Sequence, residues 1–129
     1  MTIFRLIPFA LHGAIEFVAG AALLVAPFLF GFTPAGLVVS VLIGALVVGL
    51  ALSTVADADA RQGGMPIAAH VGFDRTLVLA LLVAAALLGA ASDVAAASCL
   101  AILALAELAL SVTTRYSVPV GGRRAQIFP

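Results

Sequence analysis

The chain has 129 residues, of which 64% are hydrophobic and 9% charged, and its mean hydropathy is +1.30. Soluble domains carry roughly 25% charged residues and tolerate little contiguous apolar surface, so this composition excludes a water-soluble globule and predicts an integral membrane protein. Six arginines, no lysine and six acids give a net charge of zero, which excludes the dense cationic footprint of a nucleic-acid binder.

The first apolar run covers about residues 8–32 and is interrupted only by His12 and Glu16. Pro8 suits a first helical turn, where its missing N–H does no harm. Pro27 removes a hydrogen bond near the far end and predicts a kink or an early stop. Gly31 and Thr33-Pro34 mark a turn. The second run, residues 35–56, holds no charge and at helical rise crosses roughly 33 Å, enough for a hydrocarbon core of ~30 Å.

Residues 57–72 are the extended polar segment and read as a cytoplasmic loop, punctuated by Gly63-Gly64 and Pro66. The third span, residues 73–91, is the shortest. Ser92-Asp93 makes a tight connection, with Ser92 as the expected helix cap and Asp93 favouring the positive helix end. The fourth span covers residues 93–114, and a polar tail occupies 115–129. The fold class is therefore all-α: a polytopic four-transmembrane-helix bundle in a single integral membrane domain. The spans group as two hairpins, with no sequence repeat evident between them.

Charge placement orients the bundle. Arg5, Arg61, Arg75, Arg115, Arg123 and Arg124 all fall on one side, and the other side holds Asp93 and no arginine. This positive-inside bias predicts that both termini are cytoplasmic, in a bacterial inner (plasma) membrane. A cleaved signal peptide is not expected, because Arg5 alone precedes an apolar stretch longer than the usual roughly 7–15 residues. Cys99, the one cysteine, is expected as a small buried hydrophobe. Rows of small residues at four-residue spacing (Gly36, Ser40, Gly44; Ala45, Gly49, Ser53; Ala85, Gly89) predict close helix packing, within one chain or between copies.

The polar residues inside the spans carry what function the sequence offers. His12 and Glu16 are four apart and share a helical face with Gly20. Glu16 lies about 12 Å above Pro8, and Glu107 in the fourth span lies about 12 Å from Arg115, so the two acids reach similar depth. His12, Glu16 and Glu107 form the candidate intramembrane cluster. Insertion scales put the cost of a charged aspartate at the membrane centre at about 2.5–3.5 kcal/mol, so shared protons, a charged His12 or a bound cation would be needed to relieve the repulsion. Three readings stay open: a structural or partner-facing contact, a proton or cation site, and a ligand site. His12 alone could also lie near enough to the headgroups to need no partner.

Asp57, Asp59, His70 and Asp74 include metal-ligand types, but no HExxH, CxxC or calcium-loop spacing accompanies them. Ordinary interfacial solvation is expected for them, and neither a metal site nor a cofactor. A haem held by His12 and His70 is not expected, since the two belong to different environments in this reading. No nucleophile–base motif is present, so no catalytic residue is assigned and an enzyme is not expected.

The stretch "GAIEFVAGAALLVAPFLFGF" resembles the SPW-repeat family of small bacterial membrane proteins, with Ala26-Pro27-Phe28 and Gly31-Phe32 at the positions of its Ser-Pro-Trp and glycine-aromatic signatures. The serine and tryptophan are absent. The resemblance implies a small multispan protein and transfers no catalytic residue. The organisation is also similar to that of small multidrug-resistance transporters, four short spans with an embedded glutamate in the first, where Glu16 would match. The expected function is an accessory or self-associating subunit of a membrane assembly, with the lipid bilayer and a homo-oligomer or larger complex as partners. The alternative is a proton- or cation-coupled small transporter using Glu16.

Overall fold

The computed structural model describes residues 6–59 and 66–116, excluding the side chains of 54–59. Arg5, Arg61, Arg123 and Arg124, on which the charge asymmetry draws, lie outside the described residues, as do the side chains of Asp57 and Asp59. Four helices follow in order: α1 (Phe9–Phe30), α2 (Pro34–Asp59), α3 (Ile67–Ala90) and α4 (Val94–Thr113). Two short strands, β1 (Ile7–Pro8) and β2 (Thr114–Arg115), flank α1 and α4 and pair in parallel, Ile7 with Thr114 and Pro8 with Arg115. Phe9–Phe30, Pro34–Ser53, Ile67–Ala90 and Val94–Thr113 are each long and apolar enough to cross a membrane.

The distribution of side chains identifies the solvent. Large apolar residues point outward, among them Val18, Leu29, Leu42, Leu79, Leu87 and Ile102. The fully buried positions include His12, Glu16, His70, Asp74 and Glu107 beside Leu81 and Leu100. In water that arrangement would be unfavourable on both counts, whereas in lipid the apolar exterior costs nothing and the polar groups must be sequestered. The protein is a multi-pass membrane helical bundle.

Each hairpin turns on one residue in the left-handed region. Gly31 (φ 64) ends α1, with its N–H and that of Phe32 both donating to Pro27 O. Ser92 (φ 66) ends α3 in the same way, with Asp93 N donating to Leu88 O and Ser92 N to Gly89 O. Both are Schellman-type closures that satisfy the last helical carbonyls. Asp93, not Ser92, caps α4: its Oδ1 accepts from Ala96 N at 3.1 Å, while Ser92 is committed to the turn. Helix α1 continues through Pro27 and stops at Phe30.

Within the first hairpin the backbones of α1 and α2 touch at Gly20 and Gly44. A Cβ on either would come within 3.0 Å of the other's carbonyl oxygen. Gly36 lies against Asp93 and Ala96 of the second hairpin, where a Cβ would fall on the Asp93 carboxylate. Gly49 has open space around it, so the row Ala45–Gly49 faces outward while the row Gly36–Gly44 is spent inside the chain. Cys99 is half-buried and packs against the core.

The hairpins meet through an apolar core that includes Leu23, Val47, Leu77, Leu81 and Leu100, and through polar contacts at both ends. At the turn end, Thr33 donates to Asp93 Oδ2 from its backbone N–H (2.9 Å) and its hydroxyl (2.6 Å). At the other end stand the β1–β2 pair and the buried polar cluster. Helices α1 and α3 sit diagonally, so their facing side chains reach into the bundle interior.

Candidate functional site

Helix α3 begins at Ile67, earlier than the expected 73, because Pro66 serves as its N-cap. That extra turn and a half changes the status of two residues. His70 and Asp74, expected in the loop and its immediate continuation, sit on the first two turns of α3 and are buried. They repeat the arrangement of His12 and Glu16 on the first two turns of α1. Each pair is a histidine followed four residues later by an acid, and i,i+4 spacing places both members on one helical face. The two faces oppose each other across the bundle.

The four side chains form a closed ring of nitrogen–oxygen approaches. His12 Nε2 lies 3.3 Å from Glu16 Oε1 and 3.4 Å from Asp74 Oδ2. His70 Nε2 lies 3.5 Å from Glu16 Oε2 and 3.3 Å from Asp74 Oδ1. The imidazole centroids are 5.4 Å apart, in edge-to-face orientation. The two histidines, expected in different environments, therefore share one. His12 is wholly buried and needs an interior partner, unlike a side chain at headgroup level.

None of these four approaches meets hydrogen-bond geometry. Among the described residues, His12 Nε2, both Glu16 oxygens, His70 Nε2 and Asp74 Oδ1 are all buried without a hydrogen-bond partner. Charge-assisted N–H···O bonds close to about 2.7–2.9 Å. Taking one donor atom from each of His12, Glu16, His70 and Asp74, all four lie within 4.8 Å of one another, and their types suit a metal ion.

The segment that leaves α4 supplies the outer contacts. His12 Nδ1 lies 2.8 Å from Thr114 Oγ1, and that hydroxyl lies 2.7 Å from Leu110 O. A carbonyl has no hydrogen to give, so the threonine hydrogen is committed to Leu110 and Thr114 must accept from His12. This assigns the His12 tautomer: Nδ1 carries the hydrogen, and in the neutral ring Nε2 is a bare lone pair facing two carboxylates. Tyr116 donates to Asp74 Oδ2 at 2.6 Å and leaves Oδ1 turned to the ring interior. Burial pushes the Tyr116 hydroxyl well above its ordinary pKa and the bond to Asp74 pushes it further, so the phenol remains a donor. Phe9 covers the terminal side, its ring centroid 5.0 Å from that of His70 and 6.0 Å from those of His12 and Tyr116.

Of the residues expected to cluster, His12 and Glu16 meet directly. Glu107 is buried in the same interior and interacts electrostatically with Glu16, His12, Asp74 and His70, but its Oε2 has no hydrogen-bond partner among the described residues. His70, Asp74, Thr114 and Tyr116 complete the site and were not assigned to it from the sequence. The signal in the sequence is the repeated His-x3-acid spacing, which an expected span start at residue 73 leaves outside the helix at His70.

Comparison with protein families, with curated proteins and with solved structures returns no match. Nothing beyond the residues of the first span thus connects the chain to the SPW-repeat family.

Proposed function

We propose that this protein is a small membrane transporter that carries a cation, coupled to protons, through the site centred on Glu16. The carrying observation is the buried ring of two histidines and two carboxylates, five of whose six facing atoms have no hydrogen-bond partner among the described residues. Such a ring in lipid is unfavourable unless positive charge enters it, and exchangeable positive charge is what a coupled carrier handles. Phe9 and Tyr116, their ring centroids 6.0 Å apart, cover the site at the terminal end of the bundle.

In this reading the termini share the cytoplasmic side of a bacterial plasma membrane. The arginine asymmetry supports it, as does the pairing of Ile7 with Thr114. A second role, association with further copies or a larger assembly, is supported by the outward row Ala45–Gly49, which is exposed and, at Gly49, meets nothing within 4 Å among the described residues.

The test is reconstitution into liposomes with an imposed pH gradient and a panel of inorganic cations. Protein-dependent proton movement that responds to one class of cation, and is lost in Glu16→Gln but kept in the lipid-facing Leu79→Ala, is the expected result. Absence of protein-dependent flux with every cation in the panel would overturn the reading.

A further inference from the structure

We propose that His12 Nε2, His70 Nε2, one Glu16 oxygen and Asp74 Oδ1 together bind a divalent first-row transition-metal ion of the Zn2+ type. Thr114 and Tyr116 orient two of these ligands. The inference deepens the transport reading by naming its cation, although binding itself can be tested without transport.

The spacing carries the first part of the argument. Around a tetrahedral ion with bonds of about 2.0–2.1 Å, neighbouring donors stand about 3.3–3.4 Å apart. Within that donor set His70 Nε2 stands 3.3 Å from Asp74 Oδ1 and His12 Nε2 stands 3.3 Å from Glu16 Oε1, while the approaches to the other two carboxylate oxygens are 3.4 and 3.5 Å. They are too long for good charge-assisted hydrogen bonds and suited to a shared ion.

The direction of the lone pairs carries the second part. Because Thr114 takes the Nδ1 hydrogen of His12, the neutral ring offers Nε2 to the interior, the protonation a metal ligand requires. Tyr116 occupies Asp74 Oδ2 and leaves Oδ1 as the inner donor. Hydrogen-bonded outer contacts of this kind fix tautomer and orientation in metal sites.

Charge and donor type narrow the ion. Two carboxylates and two neutral imidazoles carry two negative charges, which a divalent ion neutralises and a monovalent ion does not. Calcium and magnesium favour all-oxygen surroundings, while imidazole nitrogens suit zinc, iron, nickel and copper.

The experiment uses the full-length protein in detergent micelles, stripped with a chelator and dialysed. Zinc is titrated by equilibrium dialysis, and cobalt is added separately because a tetrahedral Co2+ site absorbs far more strongly in the visible than the hydrated ion. The expected result is one ion per chain, with an intense cobalt spectrum. His70→Ala and Asp74→Ala should each weaken binding by more than about 100-fold. Thr114→Val keeps all four donors and should weaken binding by about 10–100-fold, whereas Gly49→Ala should bind as the parent does. Helical circular dichroism is recorded for every variant, and if a ligand variant does not fold, the parent's cobalt spectrum and Thr114→Val decide.

No stoichiometric binding by the parent chain overturns the inference, as does unchanged binding in folded His70→Ala and Asp74→Ala. Proton flux that depends on Glu16 in a protein that binds neither metal also overturns it, and leaves the transport reading standing. Stoichiometric binding without flux upholds the site and overturns transport.

Discussion

Tyr116 and Asp74 are joined by a 2.6 Å hydrogen bond that ties the chain leaving α4 to the second turn of α3. The phenol donates to Oδ2, the oxygen that approaches His12, and leaves Oδ1, which approaches His70, without a hydrogen-bond partner among the described residues. Tyr116→Phe keeps the ring beside Phe9 and removes only the donor. We expect a loss of about 1–3 kcal/mol in folding stability, the cost of a buried acceptor left unpaired. Thermal unfolding in detergent checks this, and an unchanged midpoint would mean that the bond holds nothing.

Gly20 and Gly44 bring the backbones of α1 and α2 together, and the obstacle to a side chain there includes backbone, which cannot rotate away. Gly44→Ala should force α1 from α2 and destabilise the protein by about 1–3 kcal/mol. Gly49→Ala on the same helix meets nothing within 4 Å and should be neutral or slightly stabilising. Both are read by unfolding midpoints. A change of oligomeric size in Gly49→Leu, seen by analytical ultracentrifugation, would support the second role of the Ala45–Gly49 face.

Asp93 carries a pH dependence that can be separated from that of the buried ring. The Thr33 hydroxyl, followed by the backbone N–H groups of Ala96 and Thr33, holds its carboxyl below the ordinary aspartate value of 3.8 against the opposing effect of burial. A folded pKa below the unfolded one means that ionised Asp93 stabilises the fold above about pH 4, and that this contribution fades as pH falls through the folded value. Asp93→Asn should therefore be less stable than the parent at neutral pH, with the gap narrowing below about pH 4. Paired melting curves across that window test it, and a gap that widens on acidification would be the wrong sign.

Ser92 occupies the left-handed region at φ 66, where a side chain is strained, at an exposed position. Ser92→Gly should relieve that strain and stabilise the α3–α4 turn by up to about 1 kcal/mol. The same glycine at the equivalent turn of the first hairpin, Gly31, is already native. Replacing it with alanine should cost about 1 kcal/mol, and the opposite signs of the two melting-point shifts are the check.

The sequence by itself determined the solvent, the helix number and the turns. These follow from local quantities: apolar stretches of membrane length, Pro and Gly at the breaks, and acids rare enough inside the spans for His12 and Glu16 to stand out. It also contained the second His-x3-acid pair, for which interfacial solvation is the expectation. His70 and Asp74 fall in a stretch whose average polarity resembles a loop, and polarity alone does not tell a solvated turn from a helix start that buries its polar face inward. Only the tertiary structure decided that α1 and α3 lie diagonally with those faces opposed, and that Glu107 stands beside the ring without joining it. It also decided that residues 114–116 return to set the His12 tautomer and the free oxygen of Asp74. His12 and Thr114 meet across 102 positions of sequence. Helical periodicity assigns each residue a face and is silent on which faces meet, because that choice belongs to the packing of the whole bundle.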